Sequence, residues 1–499
     1  MPHFFSNQQK TSNFARQISN NLMAESKVNS RSTKFIKDFG IYAIGVLGSK
    51  LITFLMVPLY TYFIEKPSDY GYYDLCLQVC LLLIPVVTLQ LRDGAYRFLL
   101  VTDDETTKSR IISSSMNMLF ISIILTILIA FIVSYFKDIP YLSYTVALLI
   151  MMSLCEVSLQ IVRGLGNNKT FVTANLIATF SIGVLSIVFV AFLSMGIKGV
   201  FLANIIARVI TLIYSELKIR FLRYYSFNIN FQKTGKELLK YALPLIPVAI
   251  CWWLTSSANR FFIKYYLGWE ITGIYAAAVR LTSLLHTIGI IFYQTWQENA
   301  IQQYKSKDRD TFFSKVFNSY AAILTYLLIF YVFGLKFIFP WIVSSKYQAG
   351  MEYLYGMGLS MLFFTLTTYF DLGYQCAKET HRAVKSIILT AVLCLILNFF
   401  LVQLIGIYGI ILSSILSYLF LLFYRYFDTK KYFKLSLKKE LLVHISLLIS
   451  AGIVYSINLP LWADALFIMV VAVAFFNTIS VNQLIKSLTK NKKRPTTLT

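Results

Sequence analysis

Acidic residues are scarce in this chain. Asp and Glu number 23 against 46 Lys and Arg, and all charged residues together make up 14% of the 499. A soluble domain carries about 25%. Cysteine is limited to Cys76, Cys80, Cys155, Cys251, Cys376 and Cys394, none at metal-ligand spacing from a histidine. These six lie within or at the ends of apolar segments and read as small packing residues. Residues 1–36 lack an apolar core of the kind a secretory signal needs. They are polar and basic (Lys10, Arg16, Lys27, Arg31, Lys34) and predict a cytoplasmic tail. A phosphate loop is missing too: Gly164-Leu165-Gly166-Asn167-Asn168-Lys169-Thr170 lacks the GxxxxGK[ST] spacing and joins apolar spans, not a strand and a helix. With no nucleotide-binding domain, no cofactor motif and no metal cluster legible, an ATP-driven pump built from this chain alone is excluded.

What is present is apolar. The composition is 57% hydrophobic and 16% aromatic, with a mean hydropathy of +0.65. Apolar runs of 18 or more residues recur along the whole length, the signature of membrane-spanning helices. A transmembrane barrel would show short alternating segments instead. The expected class is therefore an all-α polytopic membrane protein. Its fourteen predicted spans are residues 39–64, 71–91, 111–135, 140–162, 170–195, 198–218, 238–259, 270–295, 313–338, 350–374, 383–404, 406–426, 440–458 and 462–485.

Charge sets the orientation. With the N-terminus in the cytoplasm, Lys66, Lys137, Lys198, Arg260, Lys264, Lys336 and Lys346 fall outside, and Lys50, Arg208 and Arg280 fall within spans. The other 36 of the 46 basic residues fall inside. The positive-inside rule then predicts an even number of spans and both termini in the cytoplasm. This bias also accounts for the net charge of +23 without nucleic acid, and implies attraction to anionic membrane lipids.

The two halves resemble each other. Gly196-Ile197-Lys198-Gly199-Val200 and Gly406-Ile407-Tyr408-Gly409-Ile410 each open an apolar span followed by a basic stretch. Tyr70-Gly71-Tyr72-Tyr73 pairs in the same way with Thr272-Gly273-Ile274-Tyr275. Each repeat then holds six spans, so the copies run parallel, related by an axis along the membrane normal. The predicted plan is a basic tail (1–36), an N-lobe of six spans (37–222), a cytoplasmic linker (223–237), a C-lobe of six spans (238–428), two further helices (429–486) and a basic tail (487–499). A central cavity between the lobes is the expected substrate site.

One set of short motifs comprises Phe39-Gly40 with Gly45, Pro58-Leu59-Tyr60-Thr61, Ser68-Asp69-Tyr70-Gly71 and Leu91-Arg92-Asp93-Gly94. A second, more telling set comprises Asn259-Arg260-Phe261-Phe262-Ile263, Leu267-Gly268, Gly273-Ile274-Tyr275, Arg280-Leu281 and Gln294-Thr295-Trp296-Gln297. In these motifs, their order and their spacing, residues 37–485 resemble the polysaccharide/oligosaccharide-lipid flippases, translocases of O-antigen and capsule repeat units. That family shares a superfamily with the MATE multidrug exporters and the lipid II flippase. Family members commonly carry Asp where this chain has Asn259, a departure that bears on proton coupling at that position. The resemblance implies translocation of an undecaprenyl-diphosphate-linked oligosaccharide across the bacterial inner membrane by alternating access, serving O-antigen, capsule or exopolysaccharide synthesis. It implies no catalytic centre. Its expected partners are membrane lipids and the glycosyltransferases and polymerase of the same pathway, with a proton or sodium gradient as a candidate energy source.

Several residues could carry such a function. An arginine near a span centre costs about 2.5–3.5 kcal/mol on insertion scales and usually faces a bundle interior or aqueous cavity. Arg280 shares a seven-residue stripe with Gly273, Thr287 and Gln294. It reads either as a cavity wall offering bidentate donors to a diphosphate or as the partner of a buried acid such as Glu156 or Asp371. Lys50, with Thr53 on its face, is a second phosphate or sugar contact, or else pairs with Asp74 or reaches an interface. Arg260 is a ligand contact or an interfacial arginine. Arg92, beside Asp93, has a role in substrate access or is solvated. Asp371, Glu156, Asp74 and His286 are the titratable candidates for ion coupling, each equally readable as a charge partner or core residue. A MATE-like exporter of cationic compounds predicts acids in the cavity, whereas the deep charges here are basic. A membrane glycan polymerase or ligase predicts a large outer loop, whereas every outer connection is short.

Overall fold

The computed structural model describes residues 54–226, 231–377, 379–457 and 459–478, together with Ile52. Lys50 and Thr53 lie outside these residues. Among the described residues there is no strand. The helices are α1 (Phe54–Phe63), then α2 (Pro67–Val87), α3 (Leu91–Leu100), α4 (Glu105–Phe136), α5 (Leu142–Gly164), α6 (Asn168–Ser186), α7 (Gly196–Ile219), α8 (Phe231–Ala242), α9 (Leu245–Ser257), α10 (Asn259–Leu267), α11 (Trp269–Gln303), α12 (Arg309–Ile342), α13 (Leu354–Ala377), α14 (Thr380–Thr429), α15 (Glu440–Ser456) and α16 (Leu461–Thr478).

Helix follows from composition: in lipid each backbone N–H must find its acceptor within its own segment. Nine of the described helical stretches are long and apolar enough to cross a membrane. That is fewer than the fourteen spans expected from the sequence. The first span falls largely outside the described residues, the two spans expected at 383–426 form one helical stretch, and α15 is 17 residues long. α4 shows the bilayer's imprint most plainly. Its Phe120, Ile121, Ile124, Leu125, Leu128 and Phe131 are exposed, a continuous apolar surface that suits lipid and would aggregate in water. Asp104 caps its start, accepting from the Thr107 and Thr106 hydroxyls and from the Thr107 amide at 2.8 Å. These donors, led by the Thr107 hydroxyl, hold the Asp104 carboxyl down at about 2.

The chain forms two compact units. The first comprises Gly48–His286 and Phe330–Tyr432 and holds both the charge cluster and the cavity described below. The described part of the second comprises Thr287–Ile329 and residues 433–478. In that second unit the fully buried Trp296 packs on Phe292, Phe312 and Phe313. Its α12 is tied to the segment before α15 by Asn318, which donates to the Ser436 carbonyl at 2.9 Å and accepts from the Lys438 amide at 3.1 Å.

Inside the first unit the sequence repeat reappears as geometry. Gly196 and Gly406, aligned by the motif, both adopt left-handed φ, +54° and +59°. Each turns the chain back on itself. After the first, Gly199 lies against the Phe189 carbonyl; after the second, Gly409 lies against the Leu401 carbonyl. The α14 stretch is thus two helices broken at Ile405–Gly406, and Ser413 beyond the break donates to the Cys394 carbonyl before it at 3.2 Å. The second pair of motifs meets directly. A Cβ on Gly71 would stand 2.6 Å from the Gly273 amide nitrogen, and one on Gly273 would stand 1.9 Å from the Pro67 carbonyl. The starts of α2 and α11 therefore touch backbone to backbone, which only glycine permits.

Candidate functional site

Three charges from three helices converge where α2, α10 and α11 meet. Asp74 on α2 is 2% exposed. Arg260, the second residue of α10, donates from Nε to Asp74 Oδ2 at 2.6 Å. Arg280, about a third of the way along α11, places a guanidinium nitrogen 3.5 Å from Asp74 Oδ1. That second contact is longer than an ordinary hydrogen bond of about 2.7–3.2 Å, so Arg280 is the more loosely held of the two. One carboxylate facing two guanidinium groups leaves the cluster with a surplus positive charge.

Aromatic rings wall it. The Arg280 guanidinium lies 5.6 Å from the Tyr60 ring and 5.1 Å from the Tyr70 ring, and Arg260 lies 5.9 Å from the Tyr275 ring. Such faces stabilise a cation desolvated from water. Tyr60 is itself fixed by a 2.9 Å hydrogen bond with Ser186. The buried hydroxyls of Tyr70 and its neighbour Tyr347 have no hydrogen-bond partner among the described residues, which leaves polar capacity beside Arg280.

This arrangement corrects two expectations. The buried acid beside Arg280 is Asp74, not Glu156 or Asp371. Arg260 is not a free surface arginine but 7% exposed and ion-paired. Both escape a sequence reading because they depend on α2 meeting α10 and α11, across 186 residues of chain for Arg260 and more for Arg280.

Asn259 belongs to a separate, neutral cluster. Its amide donates to Ser414 Oγ at 2.8 Å and to the Tyr275 hydroxyl at 3.3 Å, and its carbonyl accepts from Asn398 at 2.8 Å. Donor and acceptor are both in use, which fits an amide here in place of a carboxylate. Asn259→Leu is expected to cost about 1–3 kcal/mol, because three buried polar groups lose their partner. Thermal unfolding in detergent measures it.

The remaining candidates lie elsewhere in the fold. Asp371 pairs with Arg425 at 2.7 Å. Arg425, counted with the basic loops in the sequence, is fully buried and also donates to Ser386 and the Thr367 carbonyl. His286 Nδ1 lies 3.5 Å from Thr365 Oγ1, and its ring packs on Phe364. Thr287 is buried. Gln294 sits on α11, its side chain outside the described residues.

Arg92 and Glu156 meet in a cavity of about 400 Å³ lined by α2, α3, α5 and α9. Arg92 donates to Glu156 at 3.0 Å, and its Nε lies 3.6 Å from Asp93. Leu245, Val248, Ala249 and Trp252 form one face of α9 against it, at the three- and four-residue spacing of a helix. Gln90 supplies the break between α2 and α3: both Leu89 and Gln90 are left-handed, with φ of 49° and 52°. Non-glycine residues held there cost about 1–3 kcal/mol each and cluster at functional positions. Sequence reasoning named Arg92 and Glu156 separately. It missed Gln90 and Trp252, for which the only signal was their nearness to the Leu91-Arg92-Asp93-Gly94 motif and to Asn259.

A membrane chain whose described residues form long apolar helices around a buried charge cluster has the build of a transporter. Residues 35–296 match the family described as "Polysaccharide biosynthesis protein", more than half of the chain, and the chain belongs to that family. Solved structures agree on the fold. The lipid II flippase MurJ in an inward closed conformation superposes with a TM-score of 0.66 at 15% identity, over 89% of this chain and 99% of that one. An inward-facing multidrug resistance MATE transporter of the MOP superfamily superposes with a TM-score of 0.64 at 12% identity, over 78% of this chain and 98% of that one. A search of curated protein sequences gives no significant match.

Proposed function

We propose that this chain is a flippase that carries a diphosphate-linked oligosaccharide on a polyprenyl lipid from the inner to the outer leaflet of the cytoplasmic membrane, for surface polysaccharide synthesis. The observation that carries this reading is the buried cluster of Arg260, Arg280 and Asp74, with its surplus positive charge. A diphosphate carries more negative charge than the single Asp74 carboxylate and accepts bidentate donors from a guanidinium. It competes with Asp74 for Arg280, the more weakly held arginine. Membership of the polysaccharide biosynthesis family supplies the pathway.

The step makes and breaks no covalent bond, so binding and conformational exchange are the whole mechanism. The bias of basic residues supports an orientation with both termini in the cytoplasm, and on that orientation the Gly71–Gly273 contact closes the outer end. Alternating access then parts α2 from α11 there while the cytoplasmic end shuts. A cation exporter needs a surplus of acid in its site, and the charge here has the opposite sign.

Arg280→Ala is expected to abolish surface glycan while the protein still accumulates in the membrane, and Arg280→Lys to restore only part, since an ammonium lacks the planar fork. Lys50→Ala is expected to weaken transport less than Arg280→Ala. Near-normal glycan in Arg280→Ala would sink the assignment. In reconstituted vesicles, collapse of a proton or sodium gradient slows translocation if the cycle is ion-coupled; an unchanged rate marks flipping driven by downstream use of the product.

A further inference from the structure

We infer that the cavity at Gln90, Arg92, Asp93, Glu156 and Trp252 is a glycan subsite, which holds a neutral or amino-substituted sugar ring of the lipid-linked substrate while the arginine cluster holds its diphosphate. This inference rests on the flippase reading.

Charge separates the two places. Arg260 and Arg280 outnumber Asp74 in the first. In the cavity, Asp93 and Glu156 outnumber Arg92, and Arg92 is already paired with Glu156. A diphosphate is repelled there, and so is a uronate. A sugar's hydroxyls are not, because carboxylates accept from them strongly. The cavity also offers groups with capacity to spare. Gln90 is 4% exposed, and its Nε2 donates to Asp93 at 2.9 Å. Its Oε1 is buried with no partner among the described residues, and neither has Arg92 Nε a hydrogen-bond partner. Both atoms are buried beside the cavity, and a small turn of either side chain toward a bound hydroxyl would meet its unfilled hydrogen bond.

The apolar side is equally suited. Trp252 lines the cavity beside Leu245, Val248 and Ala249. An indole covers the C–H face of a pyranose, and few precisely placed polar groups within a mostly apolar hollow is the usual build of a small-molecule site. Distance fits a single ligand as well. Leu81, Ile84 and Pro85 of α2 line the cavity, and they follow Asp74 on the same helix by seven to eleven residues, about 10–17 Å at 1.5 Å per residue. One molecule bearing a diphosphate and a few sugars spans that interval.

The test compares two lipids on the whole chain in nanodiscs: the polyprenyl-diphosphate oligosaccharides extracted from source cells, and undecaprenyl diphosphate with no sugar. Trp252→Ala is expected to weaken the glycosylated lipid about tenfold and to leave the bare lipid unchanged, with Trp252→Phe restoring most of the loss. Asp93→Asn, which removes the surplus negative charge, is expected to admit glucuronate-bearing lipids that the wild type rejects. Equal loss for both lipids in Trp252→Ala, or no loss for either, overturns the subsite. Markedly tighter binding of the bare lipid in Asp93→Asn assigns the cavity to the diphosphate and overturns it too. The flippase reading fails differently, by wild-type protein binding neither lipid or by Arg280→Ala binding bare undecaprenyl diphosphate as well as wild type.

Discussion

Asp74→Ala is expected to lower stability by about 3–5 kcal/mol and to abolish surface glycan, the largest loss from any single side chain in the cluster. The carboxylate is 2% exposed and is the partner of both Arg260 and Arg280. Removing it leaves two guanidinium groups facing each other where water cannot screen them. Removing one arginine is milder, because Asp74 keeps the other. The cost comes from stranded charge rather than from lost packing, so a second substitution should relieve it. Asp74→Ala combined with Arg260→Met is therefore expected to unfold at a higher temperature than Asp74→Ala alone, although neither transports. Thermal unfolding in detergent and surface-glycan assays read the two effects separately. A double variant no more stable than the single one would mean the arginines find other partners.

Gly273→Ala is expected to block closure between α2 and α11. The added methyl would sit 1.9 Å from the Pro67 carbonyl oxygen and 3.1 Å from the Gly71 amide nitrogen, both backbone atoms that no rotamer change can move aside. The helices must separate instead. Overpacking of this kind costs about 1–3 kcal/mol, a shift of about 5- to 150-fold between two states. Translocation falls because the cycle is biased toward the state open at this end, not because a ligand contact is lost. A cysteine at the buried Thr272, in an otherwise cysteine-free chain, reports it. A membrane-impermeant maleimide added outside labels the Gly273→Ala protein quickly and the Gly273 protein slowly. Equal labelling would show that the contact does not gate access. Gly166 provides the contrast: a Cβ there meets nothing within 4 Å, and the strain of its φ of +82° is purely conformational.

Helical class, the polar edges of the spans and the internal repeat were all legible in the sequence, because each is a local or periodic property. Twenty apolar residues specify a lipid-spanning helix whatever surrounds them. Gly196 and Gly406 announce their turns because left-handed φ tolerates few other residues. Arg280 announces itself because charge in a membrane is costly enough to require a reason. The reason was not legible. Asp74, Arg260 and Arg280 are more than two hundred residues apart at the extremes, and no periodicity links an acid on one helix to a base on another. Asp74 was one of three acids named with His286 as titratable candidates, and Arg425 one more inner-loop cation, until packing buried both beside opposite charges. The sequence alone determined that this chain crosses membranes, repeats itself and holds cations at depth. Only the tertiary structure decided which acid each cation faces, because electrostatic partnership depends on distance in space and falls off within a few ångströms.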